Sequence, residues 1–388
     1  MSAAPLRCIG LMSGTSLDGV DGVIVAWDAQ EGGSAAGRVV AHVHQPMPEA
    51  LRAALLALQT PGSNELHRAQ QAGVALARVY AEVVQALLTR SALPASAIAA
   101  IGAHGQTVRH LPPGHPALGA DEAPYTLQLL APAGLAERTG IAVVADLRSR
   151  DIAAGGQGAP LVPAFHRAAF GTPGQAVAVV NIGGIANATL LRADGTVTGF
   201  DTGPGNVLLD GWCQRHTGQP YDADGAWGRQ GHPDAALLQA LLADPWLARR
   251  GPRSTGRDRY HLDWLDTVLR QHPGLRPADV QATLAAFTVE TVVQALMHAD
   301  WGPDGPGSLQ RVLVCGGGAR NRQLMNGLSE RLWPVPVEPT DLHGWPAEQV
   351  EAAAFAWLAA QHLRGAAGNV PEVTGATGPR VLGALYPA

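Results

Sequence analysis

The sequence predicts an α/β protein of two lobes, each a mixed sheet flanked by helices, with a cleft between the lobes. Three observations carry this. Short apolar runs that read as strands alternate with alanine- and leucine-rich helical stretches in both halves. A strand, a glycine-rich turn and a second strand occur at residues 6–27, and the arrangement returns at 176–199. The 388 residues suffice for two domains of ordinary size. The boundary is expected near residue 145, giving lobes of 1–145 and 146–388, with the glycine-rich stretch 151–160 as the crossing.

In chain order, residues 6–11 and 20–27 read as strands around the turn formers of 12–19. A further strand is expected at 38–44. Residues 48–88 read as helix, broken by Pro61-Gly62-Ser63. A short buried strand at 98–102 ends at His104-Gly-Gln-Thr107. After a Pro/Gly loop at 111–123 come a strand at 125–129, a helix at 131–139 and a strand at 141–145. Strands at 176–182, 188–191 and 197–199 open the second half. Helices at 235–242, 262–270 and 277–299, a strand at 311–315 and a strong helix at 347–363 complete the pattern.

Hydrophobic residues make up 46% of the chain and charged ones 15%, so a core can form without disulfides. A net charge of -5 offers no footprint for nucleic acid or an anionic membrane. Cys8, Cys213 and Cys315 lie far apart and form no CxxC pair, which suggests neither a zinc site nor a disulfide framework. No signal peptide is evident, and no apolar run reaches the roughly 20 residues of a membrane span. A cytoplasmic protein is expected.

All 27 basic residues are arginine; the chain has no lysine. That excludes a Walker A loop and a protein-kinase site, both of which place a lysine on the nucleotide phosphates. If the protein handles ATP, backbone N–H groups, Mg²⁺ and arginine must meet the phosphate charge. Three glycine-rich turns, at 12–19, 181–187 and 315–321, each follow an apolar strand. Glycine lets backbone approach a ligand closely, and successive N–H groups in such turns bind anions. Two such turns in separate halves, with a Gly-Gly-Gly before a helix, read as a duplicated phosphate clamp with a purine shelf. The class reached from the residues is a nucleotide-dependent enzyme of the two-lobed actin/hexokinase-like (ribonuclease H-like) fold.

Seven motifs refine this. They are Gly10-Leu-Met-Ser-Gly-Thr-Ser-Leu-Asp-Gly-Val-Asp21, His104-Gly-Gln-Thr107, Arg150-Asp-Ile-Ala-Ala-Gly-Gly-Gln-Gly-Ala-Pro-Leu161, Asn181-Ile-Gly-Gly184, Gly199-Phe-Asp-Thr-Gly-Pro-Gly-Asn206, Tyr221-Asp-Ala-Asp-Gly225 and Cys315-Gly-Gly-Gly-Ala-Arg-Asn321. In sequence and order they resemble the anhydro-N-acetylmuramic acid kinases across nearly the whole chain. The resemblance implies conversion of 1,6-anhydro-N-acetylmuramic acid, ATP and water to N-acetylmuramic acid 6-phosphate and ADP, in peptidoglycan recycling. It also implies a small-molecule sugar partner and a homodimer. Leu147 and Thr202 depart from residues often or sometimes found in the family, at positions without assigned chemistry.

Asp201 matches the family's general base. It follows a short strand and precedes a stiff Gly-Pro-Gly turn that would hold its carboxylate. The chemistry asks for one carboxylate that takes a proton from water as the water attacks the anomeric carbon, after which the freed O6 attacks the γ-phosphate. Nucleotide contacts are expected from Ser13, Gly14, Thr15, Ser16, Leu17, Asp18, Gly19, Val20 and Asp21, from Gly183 and Gly184, and from Gly316, Gly317, Gly318 and Asn321. Asp18 is the expected Mg²⁺ contact, directly or through water, since a carboxylate beside phosphates needs a cation between. Sugar contacts are expected from His104, Gln106, Arg150, Asp151, Gly203, Asn206 and Glu351, with Arg150 offering a planar fork for a carboxylate or phosphate.

Three other functions fit parts of the pattern. A superfamily N-acetylhexosamine kinase would use Asp201 on a sugar hydroxyl and need no water. A heat-shock-type regulatory ATPase would be expected to carry a peptide-binding domain or docking tail. A silent sugar sensor would be expected to lack a carboxylate at 201.

Overall fold

The computed structural model describes residues 5–14, 17–27, 37–119, 121–249, 253, 255–256, 259–302 and 305–388. It divides into two compact units, Met1–Ala169 with Gln349–Ala388, and Phe170–Glu348.

The first unit is built on β1 (Leu6–Met12), β2 (Gly19–Trp27), β3 (Gly37–Pro46), β4 (Ala100–Ala103), β7 (Val143–Ala145) and β13 (Ala384–Tyr386), in the sheet order β13-β7-β4-β1-β2-β3. The strands β1, β2 and β3 form an antiparallel meander, whereas β4 and β7 run parallel to β1. A separate hairpin pairs β5 (Gln106–Leu111) with β6 (Tyr125–Leu129). Helices α1 (Glu49–Ala57), α2 (Glu65–Ser91), α3 (Pro132–Thr139), α4 (Ser149–Ala153) and α5 (Val162–Phe170) accompany the sheet. Leu76, Tyr80, Val83, Val84 and Leu87 bury one stripe of α2 in the same core as Ile9, Leu11 and Ile24.

The opposite face is covered by α11 (Val350–Leu363), followed by the short α12 (Pro371–Thr374). A run of alanines makes close approach possible on the helix side, and glycine does so on the sheet side. A Cβ on Gly10 would overlap the carbonyl oxygen of Ala352, and one on Gly102 the carbonyl oxygen of Phe355.

The second unit repeats the plan. Its sheet, in the order β10-β9-β8-β11-β12, comprises β8 (Ala176–Ile182), β9 (Ile185–Leu191), β10 (Val197–Pro204), β11 (Leu309–Cys315) and β12 (Val337–Pro339). An antiparallel β8-β9-β10 meander is flanked by parallel β11 and β12, matching β1-β2-β3, β4 and β7 strand for strand. Helices α6 (Val207–Thr217), α7 (Ala235–Leu242), α8 (Leu262–Leu269), α9 (Pro277–Met297) and α10 (Arg322–Arg331) bury Leu208, Leu237, Leu265, Phe287 and Leu324 in one core. The α/β class and the duplicated ribonuclease H-like plan are those the sequence predicted.

Two expectations change. The first unit does not stop at 145. Phe165 of α5 packs edge-on against Trp27 at 6.5 Å and against Trp357 of α11 at 6.3 Å, and β13 pairs antiparallel with β7. The C-terminal segment therefore completes the first sheet, a return that local periodicity does not reveal. Two helices, α2 and α9, are also long and apolar enough to cross a membrane, contrary to the reading of the runs. Their apolar residues form much of the two cores.

The tight α11 contact carries a prediction. Gly10→Ala should destabilise the protein by at least about 1–3 kcal/mol, because a methyl has nowhere to go between strand and helix backbones. Urea unfolding monitored on the buried tryptophans measures it.

Candidate active site

Open α/β sheets bind ligands beyond the carboxyl ends of their parallel strands. In the first unit those ends, after β1 and β4, carry the segments 12–19 and 103–107. The middle of the first segment, Thr15 and Ser16, lies outside the described residues. The rest is locked into the scaffold. Ser13 is fully buried, its hydroxyl donating to the Gly105 carbonyl at 3.0 Å and lying 2.9 Å from the Tyr80 hydroxyl. The Gly14 carbonyl accepts from Leu17 N–H at 3.2 Å and from Gln106 Nε2 at 3.2 Å. Ser13, Leu17 and Val20 were expected among the nucleotide contacts; the Ser13 hydroxyl is committed inside and the other two side chains sit in the core. A turn this short needs internal anchors, and these residues supply them.

His104 directly follows β4 and is buried, with Nδ1 3.1 Å from the Ser13 carbonyl. Arg148 donates to its Nε2 from Nη2 at 2.9 Å and from Nε at 3.3 Å, and gives Nη1 to the Gly158 carbonyl at 2.8 Å. A guanidinium only donates and a carbonyl only accepts, so the imidazole is neutral with its proton on Nδ1. Burial first, and then Arg148, push the His104 pKa down to about 3. Burial lowers Arg148 to about 10, with Glu351 and Asp151 opposing.

Glu351 stands in the first turn of α11 with its side chain open to solvent. Its carboxyl is shifted upward, by desolvation first, then by Asp21, with Arg148 opposing and Asp18 adding to the rise. Glu351, Asp18, Asp21, Arg148 and His104 therefore share one electrostatic neighbourhood. Asp18 is exposed and accepts from Gly19 N–H at 2.9 Å. Asp21 instead receives His42 Nε2 and His44 Nδ1 of β3, each at 3.1 Å, because β2 pairs Asp21 with His44. Its carboxylate is thus engaged by the sheet rather than held open for nucleotide.

The expected sugar contacts at 150–151 separate. Arg150 is exposed, without a side-chain partner among the described residues. Asp151 is fully buried, Oδ2 accepting from Gly158 N–H at 2.8 Å and Oδ1 from Asn369 Nδ2 at 2.6 Å and Thr374 Oγ1 at 2.8 Å. It ties the glycine-rich loop to the C-terminal segment. Three donors in a fully buried position commit this carboxylate to holding the fold together.

In the second unit three predicted motifs converge. The Gly183 and Gly184 carbonyls accept from Asn206 N–H at 2.8 Å and Gly205 N–H at 2.9 Å, and Asn206 Nδ2 donates to the Ile182 carbonyl at 3.1 Å. Asn206 thus braces the hairpin turn and heads α6. Gly316, at φ +77°, approaches so closely that a Cβ would overlap the Asn181 side-chain oxygen, and Gly318 lies against Ile182. Gly317 is exposed at the rim. Asn321 was expected to bind nucleotide, but its side-chain oxygen caps α10, accepting from Gln323 N–H at 2.9 Å and Leu324 N–H at 3.3 Å. Asp222 likewise pins Trp227 and Gly228 N–H, at 2.9 and 2.8 Å.

Asp201 lies within β10, half-buried, where the register with β9 shifts between it and Gly203. Its Oδ2 accepts from Thr255 N–H at 2.9 Å. Gly203 is buried against Thr291. Asp201 still pairs with Asn187, and it is Thr202 that the ladder skips, so the aspartate stands at the edge of the irregularity.

The chain matches the family model described as anhydro-N-acetylmuramic acid kinase over residues 6–388. Relatives named anhydro-N-acetylmuramic acid kinase include one from Bordetella petrii, 58% identical over 98% of this chain and 96% of that protein. Another, from Variovorax paradoxus, is 54% identical over 98% of both chains. A third, from Cupriavidus pinatubonensis, is 53% identical over the full length of both. The chain belongs to the anhydro-N-acetylmuramic acid kinase family. It is a kinase, and membership implies a sugar and ATP as its substrates.

Against that membership, sequence reasoning missed Arg148 and Arg253. Arg148 lay two residues ahead of the arginine chosen for its place in a motif. The available signal was the strand end at 145, which puts Arg148 rather than Arg150 next to the β4 terminus. No spacing signal marks Arg253, which reaches Asp201 across 52 residues.

Two predictions follow from these contacts. Asp151→Ala leaves three donors unpaired at about 1–3 kcal/mol each, so stability should fall by at least about 3 kcal/mol. In the folded fraction KM for sugar should hold. The folded state keeps His104 neutral down to about pH 3, whereas the unfolded chain protonates it near 6.5. The unfolded state therefore binds more protons in that window, and stability declines as pH falls through it. His104→Gln should flatten this dependence by about 1.4 kcal/mol per pH unit, read from urea midpoints near about pH 4.5 and about pH 5.5.

Proposed function

We propose that this kinase opens 1,6-anhydro-N-acetylmuramic acid with water and phosphorylates the released O6 from ATP, giving N-acetylmuramic acid 6-phosphate and ADP. The observation that carries the reading is Asp201, a half-buried carboxylate set on a strand bulge and oriented by Thr255 N–H, within a motif that resembles the family's general-base segment. Asp201 takes a proton from water as the water oxygen bonds to C1. The C1–O6 bond breaks, and O6 forms its new bond to the γ-phosphorus as the bond to the ADP oxygen is lost. The γ-phosphoryl group caps the departing O6, so no separate carboxylic acid is required.

Phosphate binding in a chain without lysine falls to backbone N–H groups of the glycine-rich turns. Asp18 is the group that would stand on the Mg²⁺ side, directly or through water. Among the described residues no three histidine, cysteine or carboxylate side chains cluster to hold a metal ion, so the cation would rest mainly on the phosphates and water. The ion would neutralise charge on the phosphates. Glu351, neutral His104 and Gln106 are the groups proposed to face the sugar, and Gln106 Oε1 has no hydrogen-bond partner among the described residues.

The reading makes the protein a cytoplasmic enzyme of small-molecule metabolism in cell-wall recycling, acting as a homodimer, with neither nucleic acid nor membrane as partner. Its test is turnover of the anhydro sugar with ATP in ¹⁸O water, for wild type and Asp201→Asn. One labelled oxygen should enter the phosphosugar at C1, and the variant should lose at least about 10²-fold in kcat. An unlabelled phosphosugar would favour a simple hexosamine kinase, and ADP release without phosphosugar a regulatory ATPase.

A further inference from the structure

Arg253 spends its guanidinium on backbone. Nε donates to the Asp201 carbonyl at 2.8 Å and Nη2 to that of Thr202 at 3.4 Å, while Nη1 serves Leu247 at 2.8 Å and Arg249 at 2.6 Å. The group lies 4.7 Å from the centroid of Trp246 and 5.9 Å from that of Phe200. The link is reciprocal: Asp201 N–H donates to the Arg253 carbonyl at 3.0 Å, and two residues on, Thr255 N–H holds the Asp201 carboxylate at 2.9 Å.

These contacts meet at the one irregular point of β10. Asp201 pairs with Asn187 of β9, but the ladder then skips Thr202, so pairing alone does not fix the backbone on the C-terminal side of the carboxylate. A fork that grips the carbonyls of 201 and 202 together with those of 247 and 249 does. The arginine is stacked between aromatic rings and presents donors in a rigid plane, so it can span two segments. A lysine ammonium, a single point on a flexible stem, cannot reach all four oxygens.

We infer that Arg253 is a positioning residue for Asp201, fixing the bulge so that the carboxylate is held in the direction required for deprotonating water. This rests on Asp201 being the base. The guanidinium makes no proton transfer itself; it acts through the backbone on either side of the base and through the strap that carries Thr255.

The test compares Arg253→Lys, Arg253→Ala, Asp201→Asn and the double variant Asp201→Asn/Arg253→Lys in single-turnover and steady-state assays. Arg253→Lys keeps the charge but should lower kcat about 10–100-fold, the scale of a misplaced catalytic group, with KM for ATP little changed. Arg253→Ala should fall further and recover in part with added guanidinium ion. In the Asp201→Asn background Arg253→Lys should cost nothing more, because its effect passes through the missing carboxylate. Wild-type kcat in Arg253→Lys, or an equal loss with and without Asp201, would overturn the inference. An Asp201→Asn enzyme as active as wild type would instead sink the base assignment. Should Arg253→Ala fail to fold, the lysine variant still decides.

Discussion

The contact on which the first unit depends is backbone against backbone: α11 resting on β1 and β4 where Gly10 and Gly102 offer no side chain. It fixes more than the core. Glu351 sits in the first turn of that helix, so the depth at which α11 lies sets how near this carboxylate comes to Arg148 and to Asp18 and Asp21. Side chains of ordinary size at residues 10 and 102 would lift the helix and carry the carboxylate with it. Packing and electrostatics here are one constraint, imposed by a segment that joins its sheet more than 300 residues after β1.

A chain with arginine as its only strong base has to place positive charge differently from one with lysine. Arginine offers a plane of five donors that keeps its charge when buried. Two such planes are used here for shape. Arg148 selects the imidazole tautomer of His104 and fastens the glycine-rich loop through Gly158, and Arg253 binds four carbonyls around Asp201. Neither needs a carboxylate in direct contact to stay ionised, because carbonyl dipoles and ring faces do the solvating.

The sheets, the glycine turns and the duplicated plan were legible because they are local. Apolar runs, period and turn residues report on neighbours in sequence. The turn around Asp201 was legible for the same reason, because Gly203, Pro204 and Gly205 follow it directly. What stayed hidden was long-range partnership. Asp151 reads like Asp201 along the chain, a carboxylate beside glycines. Only its meeting with Asn369 and Thr374, more than 200 residues on, reveals it as a structural clasp. Ser13 and Asn321 misled similarly: a hydroxyl and an amide in glycine-rich turns suit phosphate, but the same polarity suits a buried anchor and a helix cap. Sequence identifies which groups can bind; it does not show which have already been bound by the protein.

The duplication sharpens that distinction. Matching strands β4 and β11 end in opposite ways. In the first unit the end of β4 is filled with side chains, His104 against Arg148 and Gln106 against Gly14. In the second, β11 runs into Gly316, Gly317 and Gly318, whose backbone lies against Ile182 with no room for side chains at two of the three positions. One topology thus yields a surface of specific donors and acceptors in one copy and of bare peptide in the other. Bare peptide is suited to phosphate, which asks for N–H groups and little discrimination, while side chains suit a sugar, whose hydroxyls must be told apart one by one. The difference follows from what each strand end excludes, and it needs no difference in fold between the two copies.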